Sequence, residues 1–183
     1  ETGVAALYNW LLGIAHQGMT ENFRMNRLLM WIQPENYSSG IGYQTVQGLY
    51  AIGSGGLFGK GLGKSLQKLG FIPESQNDMI FSIICEELGL FGAMCIILVF
   101  ALMLWRIIHI AQNAPDLFGT MLAAGVFAHV AVQVVLNIAV VTNFIPNTGV
   151  SLPFISYGGT ASFFLLLEMG IVLNISSKIR LER

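Results

Sequence analysis

Apolar residues in this chain fall in long runs rather than at the spacing of an amphipathic helix or the alternation of a half-buried strand. Met79 to Trp105 is apolar apart from Glu86 and Glu87 near its start. Leu117 to Phe144 is apolar apart from His129, Gln133 and Asn137, and Thr160 to Ile175 with its flanks is broken by Glu168. Each run approaches or exceeds the ~20 helical residues that cross a hydrocarbon core of ~30 Å, so each is expected to span a membrane. A weaker stretch, Val4 to about Ala15, is too short to span alone and is expected as the tail of a helix or as an interfacial segment.

The pattern divides the chain into a partial transmembrane or interfacial segment (1–19), a large polar loop (20–78) and three spans with short connections (79–183). Within the loop, Trp31-Ile-Gln-Pro34 marks a turn, because proline disfavours a helical residue before it. Gly40 to Ile52 is expected as a short helix. Gly53 to Lys64 is too rich in glycine to be a stable one, since each glycine costs ~1 kcal/mol relative to alanine. Such a tract suits close backbone approach to a ligand or to other parts of the protein.

Composition agrees with a membrane protein. Charged residues are 10% of the chain, hydrophobic residues 54%, and the mean hydropathy is +0.66. That leaves too little polar surface to cover a soluble core. The net charge of −1 gives no reason to expect nucleic acid. Cys85 and Cys95 lie ~15 Å apart along a helix, too far for a mutual disulfide. Glu1-Thr2-Gly3 is neither an initiator methionine nor a basic signal region, and is expected to be an artificial edge or the edge of an incomplete chain.

The basic tail ending in Arg183 is expected in the cytoplasm, which places the large loop and the Thr142–Tyr157 connection outside. Against this, the loop holds Arg24, Arg27, Lys60, Lys64 and Lys68, five of the nine basic residues. A long loop escapes the positive-inside trend, and a basic outer loop also suits an anionic ligand.

Candidate chemistry gathers at the loop. The glycine tract is no phosphate loop, because Phe58 stands where the leading glycine is required and no apolar strand precedes it. It reads as a flexible connector or as an anion cradle of backbone N–H groups with Lys60, Lys64 and Lys68. Ser75-Gln-Asn-Asp78 matches a capping box, with Asp78 at the third position of a helix opened by Ser75. A carboxylate held there at a membrane edge is also a candidate catalytic group. Glu86 and Glu87 must face a bundle interior, a cavity or the headgroup layer, and pairing with a basic group competes with a direct role. His129, Gln133 and Asn137 recur every four residues on one helix face, as interhelical hydrogen bonding requires. His16 and His109 lie in other segments, so no zinc-type cluster forms, and Ser156-Tyr-Gly-Gly159 lacks the leading glycine of a hydrolase elbow.

Gly42 to Lys68, Ile72-Pro-Glu-Ser-Gln-Asn-Asp-Met-Ile-Phe81, Glu86-Glu-Leu-Gly89, Pro146-Asn-Thr-Gly149 and Leu152-Pro-Phe-Ile-Ser-Tyr-Gly-Gly159 closely resemble segments of the SEDS proteins (shape, elongation, division, sporulation). The likeness runs from about Phe23 to the C-terminus, and Ser65-Leu-Gln-Lys68 is more similar to the division and sporulation branch than to the elongation branch. The resemblance implies an all-α, polytopic transmembrane bundle of about ten helices. This chain would cover the end of the seventh, the large extracellular loop and helices eight to ten, in a bacterial inner membrane.

It further implies a peptidoglycan glycosyltransferase that polymerises lipid II beside a class B penicillin-binding protein and other division or elongation membrane proteins. The family's essential aspartate falls on Asp78, although Asn77 and Met79 replace its usual threonine and phenylalanine. On that reading Asp78 is the general base, Lys60, Lys64, Lys68, Arg24 and Arg27 hold the lipid pyrophosphate, and Glu74 is a further substrate-binding residue. Glu86, Glu87, His129, Gln133 and Asn137 are supporting polar groups. A divalent cation, Mg or Mn, could bridge Asp78 and the pyrophosphate, and the chain alone is expected to be inactive. The competing readings are a lipid II flippase, for which Glu86, Glu87 and His129 would be suggestive, and a non-catalytic scaffold of the division machinery.

Overall fold

The structure is a computed structural model that describes residues 13, 23–32, 41–65 and 77–179. Segment 1–19 therefore lies outside the described residues, Gly13 excepted. Two helices of the large loop, α1 (Phe23–Ile32) and α2 (Ile41–Gly55), precede three long ones: α3 (Ile80–Gln112), α4 (Leu117–Val141) and α5 (Gly159–Lys178). No strand occurs among the described residues. The three long helices, of 33, 25 and 20 residues, are long and apolar enough to cross a membrane, which makes this an all-α membrane fold.

Boundaries differ from expectation where polar groups find partners. The first apolar run continues past Trp105 to Gln112, because Arg106 and His109 sit on an exposed stretch where a helix costs no desolvation. α4 stops at Val141, and the following Asn143 takes a left-handed φ of 57°. The helix expected over Gly40–Ile52 is α2, running on to Gly55. α1 was not foreseen, since its basic residues mask a short helix in a region read as loop.

α3 is not continuous. Gly89 has φ 69° and ψ −168°, a conformation open essentially to glycine alone. In an unbroken helix the N–H groups of Leu90 and Phe91 would bond to the carbonyls of Glu86 and Glu87. Here they donate instead to the carbonyls of Gly56 (2.9 Å) and Leu57 (3.1 Å). The vacated carbonyls of Glu86 and Glu87 accept from the N–H groups of Lys60 and Gly61, both at 2.9 Å. Two helical bonds are exchanged for four bonds to the loop, so the N–H groups of Leu90 and Phe91 and the carbonyls of Glu86 and Glu87 stay satisfied. Beyond it, Leu90 to Gln112 is about 34 Å long at 1.5 Å per residue and spans by itself. Glu86 and Glu87 thus belong to the loop side of the bundle.

The exchange needs backbones in contact. A Cβ on Gly89 would sit 2.3 Å from the nitrogen of Gly59, and one on Gly59 would sit 2.2 Å from the carbonyl oxygen of Glu87. α2 packs along the first turns of α3, with Gly48 meeting Met79 and Ser82 and Ala51 fully buried. Behind them Phe81, Ile83, Ala93 and Phe100 join Val126, Val130 and Val134 of α4 in the core. α5 buries little beyond Leu165, Val172 and Ile175.

Gly89→Ala combines a forbidden backbone conformation with a backbone clash, and should destabilise the detergent-solubilised protein by about 3 kcal/mol or more. Gly53→Ala, in a helical position with open space beyond it, should be neutral or stabilising by up to ~1 kcal/mol. Thermal unfolding followed by size-exclusion chromatography compares the two.

Candidate active site at the loop–bundle junction

Asp78 lies in the turn Asn77–Met79 that leads into α3. The helix begins at Ile80 with Met79 as its N-cap and no side-chain capping bond, so Asp78 precedes it and is not its third residue. The capping-box expectation is corrected on that point, while Ser75 lies outside the described residues. The physical reason is that Asp78 is held by partners from elsewhere in the fold. Its backbone carbonyl accepts from Asn137 Nδ2 at 2.8 Å, and the same amide donates to the carbonyl of Val150 at 2.8 Å. Asn137 is fully buried on α4. One amide group therefore ties the entry of α3 to the α4–α5 connection.

The carboxylate of Asp78 is oriented from the loop. Gln44 Nε2 on α2 donates to Asp78 Oδ1 at 3.1 Å. Gln44 is a neutral donor, so this bond aims the carboxylate without cancelling its charge. Beneath it Met79 is 1% exposed, and its sulfur lies under Gly48 of α2. The half-buried carboxylate is thus a rigidly presented oxygen acceptor at the edge of the membrane domain, the arrangement a general base requires.

Two residues expected to bind an anion, Lys60 and Arg27, meet partners within the protein. Lys60 directs its ammonium to Glu86 Oε1 at 2.7 Å. Glu86 is fully buried, and the Oγ atoms of Ser54 (3.4 Å from Oε1) and Ser65 (on Oε2) also donate to it. Neutralisation plus hydrogen bonds is what a buried carboxylate needs, since desolvation alone would cost several kcal/mol. The N–H groups of Gly59, Lys60, Gly61 and Lys64 bond to backbone carbonyls of Gly55, Glu86, Glu87 and Gly61. The glycine tract is therefore a clasp on α3, which corrects the expectation of a backbone anion cradle. Lys64 is exposed on its rim. Arg27 Nη1 donates to the carbonyl of Asn147 at 3.4 Å. Trp31 Nε1 bonds to the carbonyl of Asn143 at 3.0 Å, docking α1 onto the α4–α5 connection. Lys68, Glu74 and the side chain of Arg24 lie outside the described residues.

The supporting polar groups split. Asn137 braces Asp78, as above. His129 Nδ1 lies 3.0 Å from both carboxylate oxygens of Glu168 on α5, an interhelical pair near the middle of both helices. Gln133 Oε1 and Glu87 Oε1 are buried with no hydrogen-bond partner among the described residues. No group of three or more His, Cys, Asp or Glu side chains gathers among those residues. Gln44, Ser54, Ser65 and Val150 were missed from sequence. Each is an ordinary residue until tertiary contact gives it a charged or buried partner.

Residues 3–181 match the sequence profile of the cell cycle protein family of FtsW, RodA and SpoVE. The chain belongs to this family. It is 46% identical over 166 residues to stage V sporulation protein E of Bacillus subtilis, covering 91% of this chain and 45% of that protein. It is 44% identical over 159 residues to the probable peptidoglycan glycosyltransferase FtsW of Trichlorobacter lovleyi, covering 87% and 42% respectively. The chain thus spans somewhat less than half the length of these relatives.

Two solved structures share the fold. One is a chain from work on the structural coordination of polymerization and crosslinking by a peptidoglycan synthase complex (TM-score 0.66, 22% identity, 99% of this chain and 49% of that one). The other is a mutant of the rod shape determining protein RodA of Thermus thermophilus (TM-score 0.56, 23% identity, 94% and 64%). In this SEDS chain the segments that carry the resemblance meet at one place. Gln44 and the glycine tract, Asp78, Glu86 to Gly89 and the α4–α5 connection all converge on the junction of loop and bundle.

Asn137→Leu would strand two half-buried carbonyls, those of Asp78 and Val150, at roughly 1–3 kcal/mol each at most. It should lower stability by about 2 kcal/mol or more in the same unfolding assay. Gln133→Leu, one turn away and stranding no carbonyl, should cost less than half as much.

Proposed function

We propose that this chain carries the catalytic carboxylate of a peptidoglycan glycosyltransferase that polymerises lipid II into glycan strands during division or sporulation. The observation that carries the reading is Asp78: a carboxylate fixed through its own backbone by Asn137 and aimed by Gln44 at the junction of loop and membrane helices. Relatives named probable peptidoglycan glycosyltransferase, alike over most of this chain, support the reaction class.

The chemistry follows from those residues. Asp78 accepts the proton of an acceptor sugar hydroxyl as that oxygen bonds to the anomeric carbon of the donor. The bond from that carbon to the pyrophosphate oxygen breaks, and the polyprenyl pyrophosphate leaves with the electron pair. Exposed Lys64, with Lys68 and Arg24 of the same loop, supplies positive charge for the leaving group. Lys60 and Arg27 hold the loop's shape. Glu74 is proposed to bind substrate beside Asp78. The loop faces the outside and the C-terminus the cytoplasm, and the protein works with a class B penicillin-binding protein. Likeness to a chain of a peptidoglycan synthase complex supports that partner.

Transport of lipid II without polymerisation is less well supported. Of the residues that would favour it, Glu86 is committed to Lys60 and His129 to Glu168.

Asp78→Asn keeps an acceptor for Gln44 but cannot take a proton. In the whole protein with its partner, it should lower the rate of lipid II polymerisation at least ~100-fold with abundance unchanged. Polymerisation at the wild-type rate would rule the assignment out, and vesicles that move lipid II without making glycan would favour a transporter.

A further inference from the structure

We infer that Glu86 is a positioning residue for Asp78, acting through Lys60, the glycine clasp and α2. The inference rests on the polymerase reading for its kinetic arm alone. Glu86 has no place near the carboxylate of Asp78 in the chemistry described above, yet it is a fully buried acid at the focus of the loop.

The chain of contacts is short. Glu86 is held by Lys60 at 2.7 Å, by Ser54 at 3.4 Å and by Ser65. Ser54 lies in the last turn of α2, and Lys60 and Ser65 lie in the tract that follows. These three donors pull the C-terminal end of α2 and the tract toward one carboxylate. The same pull holds the N–H of Lys60 on the carbonyl of Glu86 and the N–H of Gly61 on that of Glu87. α2 is a single helix of 15 residues, so fixing its far end against α3 fixes the azimuth of its near end. Gln44 stands on that near end and donates to Asp78. Asp78 itself hangs from the start of α3, eight residues before Glu86, so both ends of the Gln44–Asp78 bond refer to the same helix.

The alternative state of the break explains why a charge is required. Were Gly89 to return to helical dihedrals, Leu90 and Phe91 could regain their own carbonyls and α3 would close without the loop. The clasp and the closed helix both satisfy the backbone, so hydrogen-bond accounting alone does not favour one strongly. Releasing the loop would take Lys60, Ser54 and Ser65 away from the buried Glu86 carboxylate, a loss that the clasped state avoids. Glu86 thus selects the arrangement in which Gln44 reaches Asp78.

The test uses the whole protein with its partner. Glu86→Gln should lower kcat for lipid II polymerisation about 10- to 100-fold while KM changes less than about threefold, as expected for a misaimed base with intact substrate contacts. Ser65→Ala, which leaves the ion pair in place, should give a smaller loss in the same direction. The exchange Lys60→Glu with Glu86→Lys should recover at least about tenfold over the single variants. A readout independent of activity is the yield of a short crosslink between Gln44→Cys and Asp78→Cys, with Cys85 and Cys95 replaced by alanine. It should fall several-fold in the Glu86→Gln background, with faster amide hydrogen exchange confined to 56–61 and 90–91.

Unchanged kcat and unchanged crosslinking in Glu86→Gln and Ser65→Ala would overturn the inference. So would a loss that no charge exchange recovers and that is accompanied by exchange throughout α4. If the wild-type protein makes no glycan, the polymerase reading fails, while the crosslinking and exchange arms still decide whether Glu86 positions Asp78.

Discussion

A helix that breaks inside a membrane protein leaves backbone groups without partners, and the protein must supply them from somewhere. At Gly89 the supply is the glycine tract of the large loop. Leu90 and Phe91 give their N–H groups to the tract, and the tract gives those of Lys60 and Gly61 to Glu86 and Glu87. Because this exchange is reciprocal, the loop is not draped over the bundle but is part of the hydrogen-bond ladder of α3. α2 then has a fixed end, Gln44 has a fixed reach, and the carboxylate of Asp78 has a fixed direction. The constraint is steric as well as polar, since neither Gly59 nor Gly89 leaves room for a Cβ at the crossing.

Charge is distributed to match. Two ionisable pairs lie in the helical bundle, Glu86 with Lys60 at the break and His129 with Glu168 near the middle of α4 and α5. These pairs avoid the cost of an isolated charge in a medium of low dielectric. Asp78, at the edge of the bundle, is oriented by a neutral amide. The Gln44 bond fixes the direction of the Asp78 carboxylate, and the pairing with Lys60 fixes Glu86 in place.

The parts of the fold legible in sequence are those set by long-range hydropathy. The three spans and α2 follow from run length and glycine placement, and their ends shift by a few residues only where polar groups are solvated or paired. The resemblance of Ile72–Phe81 to SEDS proteins located Asp78, but its physical support came from the wrong device, a capping box. What sequence could not show is partnership across distance. Asn137 is 59 residues from Asp78 and Gln44 is 34 residues from it, and neither separation leaves a periodic trace. The glycine tract is the instructive case. Its composition announced close backbone approach correctly, yet a free anion and a broken helix make the same demand on a row of N–H groups. Only the position of Gly89 in space decides between them.

The same geometry accounts for two departures from the family's usual motif, Asn77 for threonine and Met79 for phenylalanine. Among the bonds that hold Asp78 are one from Asn137 to its backbone carbonyl and one from Gln44 to its carboxylate, both supplied by residues outside the Ile72–Phe81 segment. Met79 has to fill a space beneath α2 against Gly48, where it is 1% exposed. An unbranched, adaptable thioether does this as well as an aromatic ring whose volume the neighbouring helix can accommodate. The site therefore separates the residue that carries the charge from those that surround it in sequence. Its precision is written in α2, α4 and the break in α3.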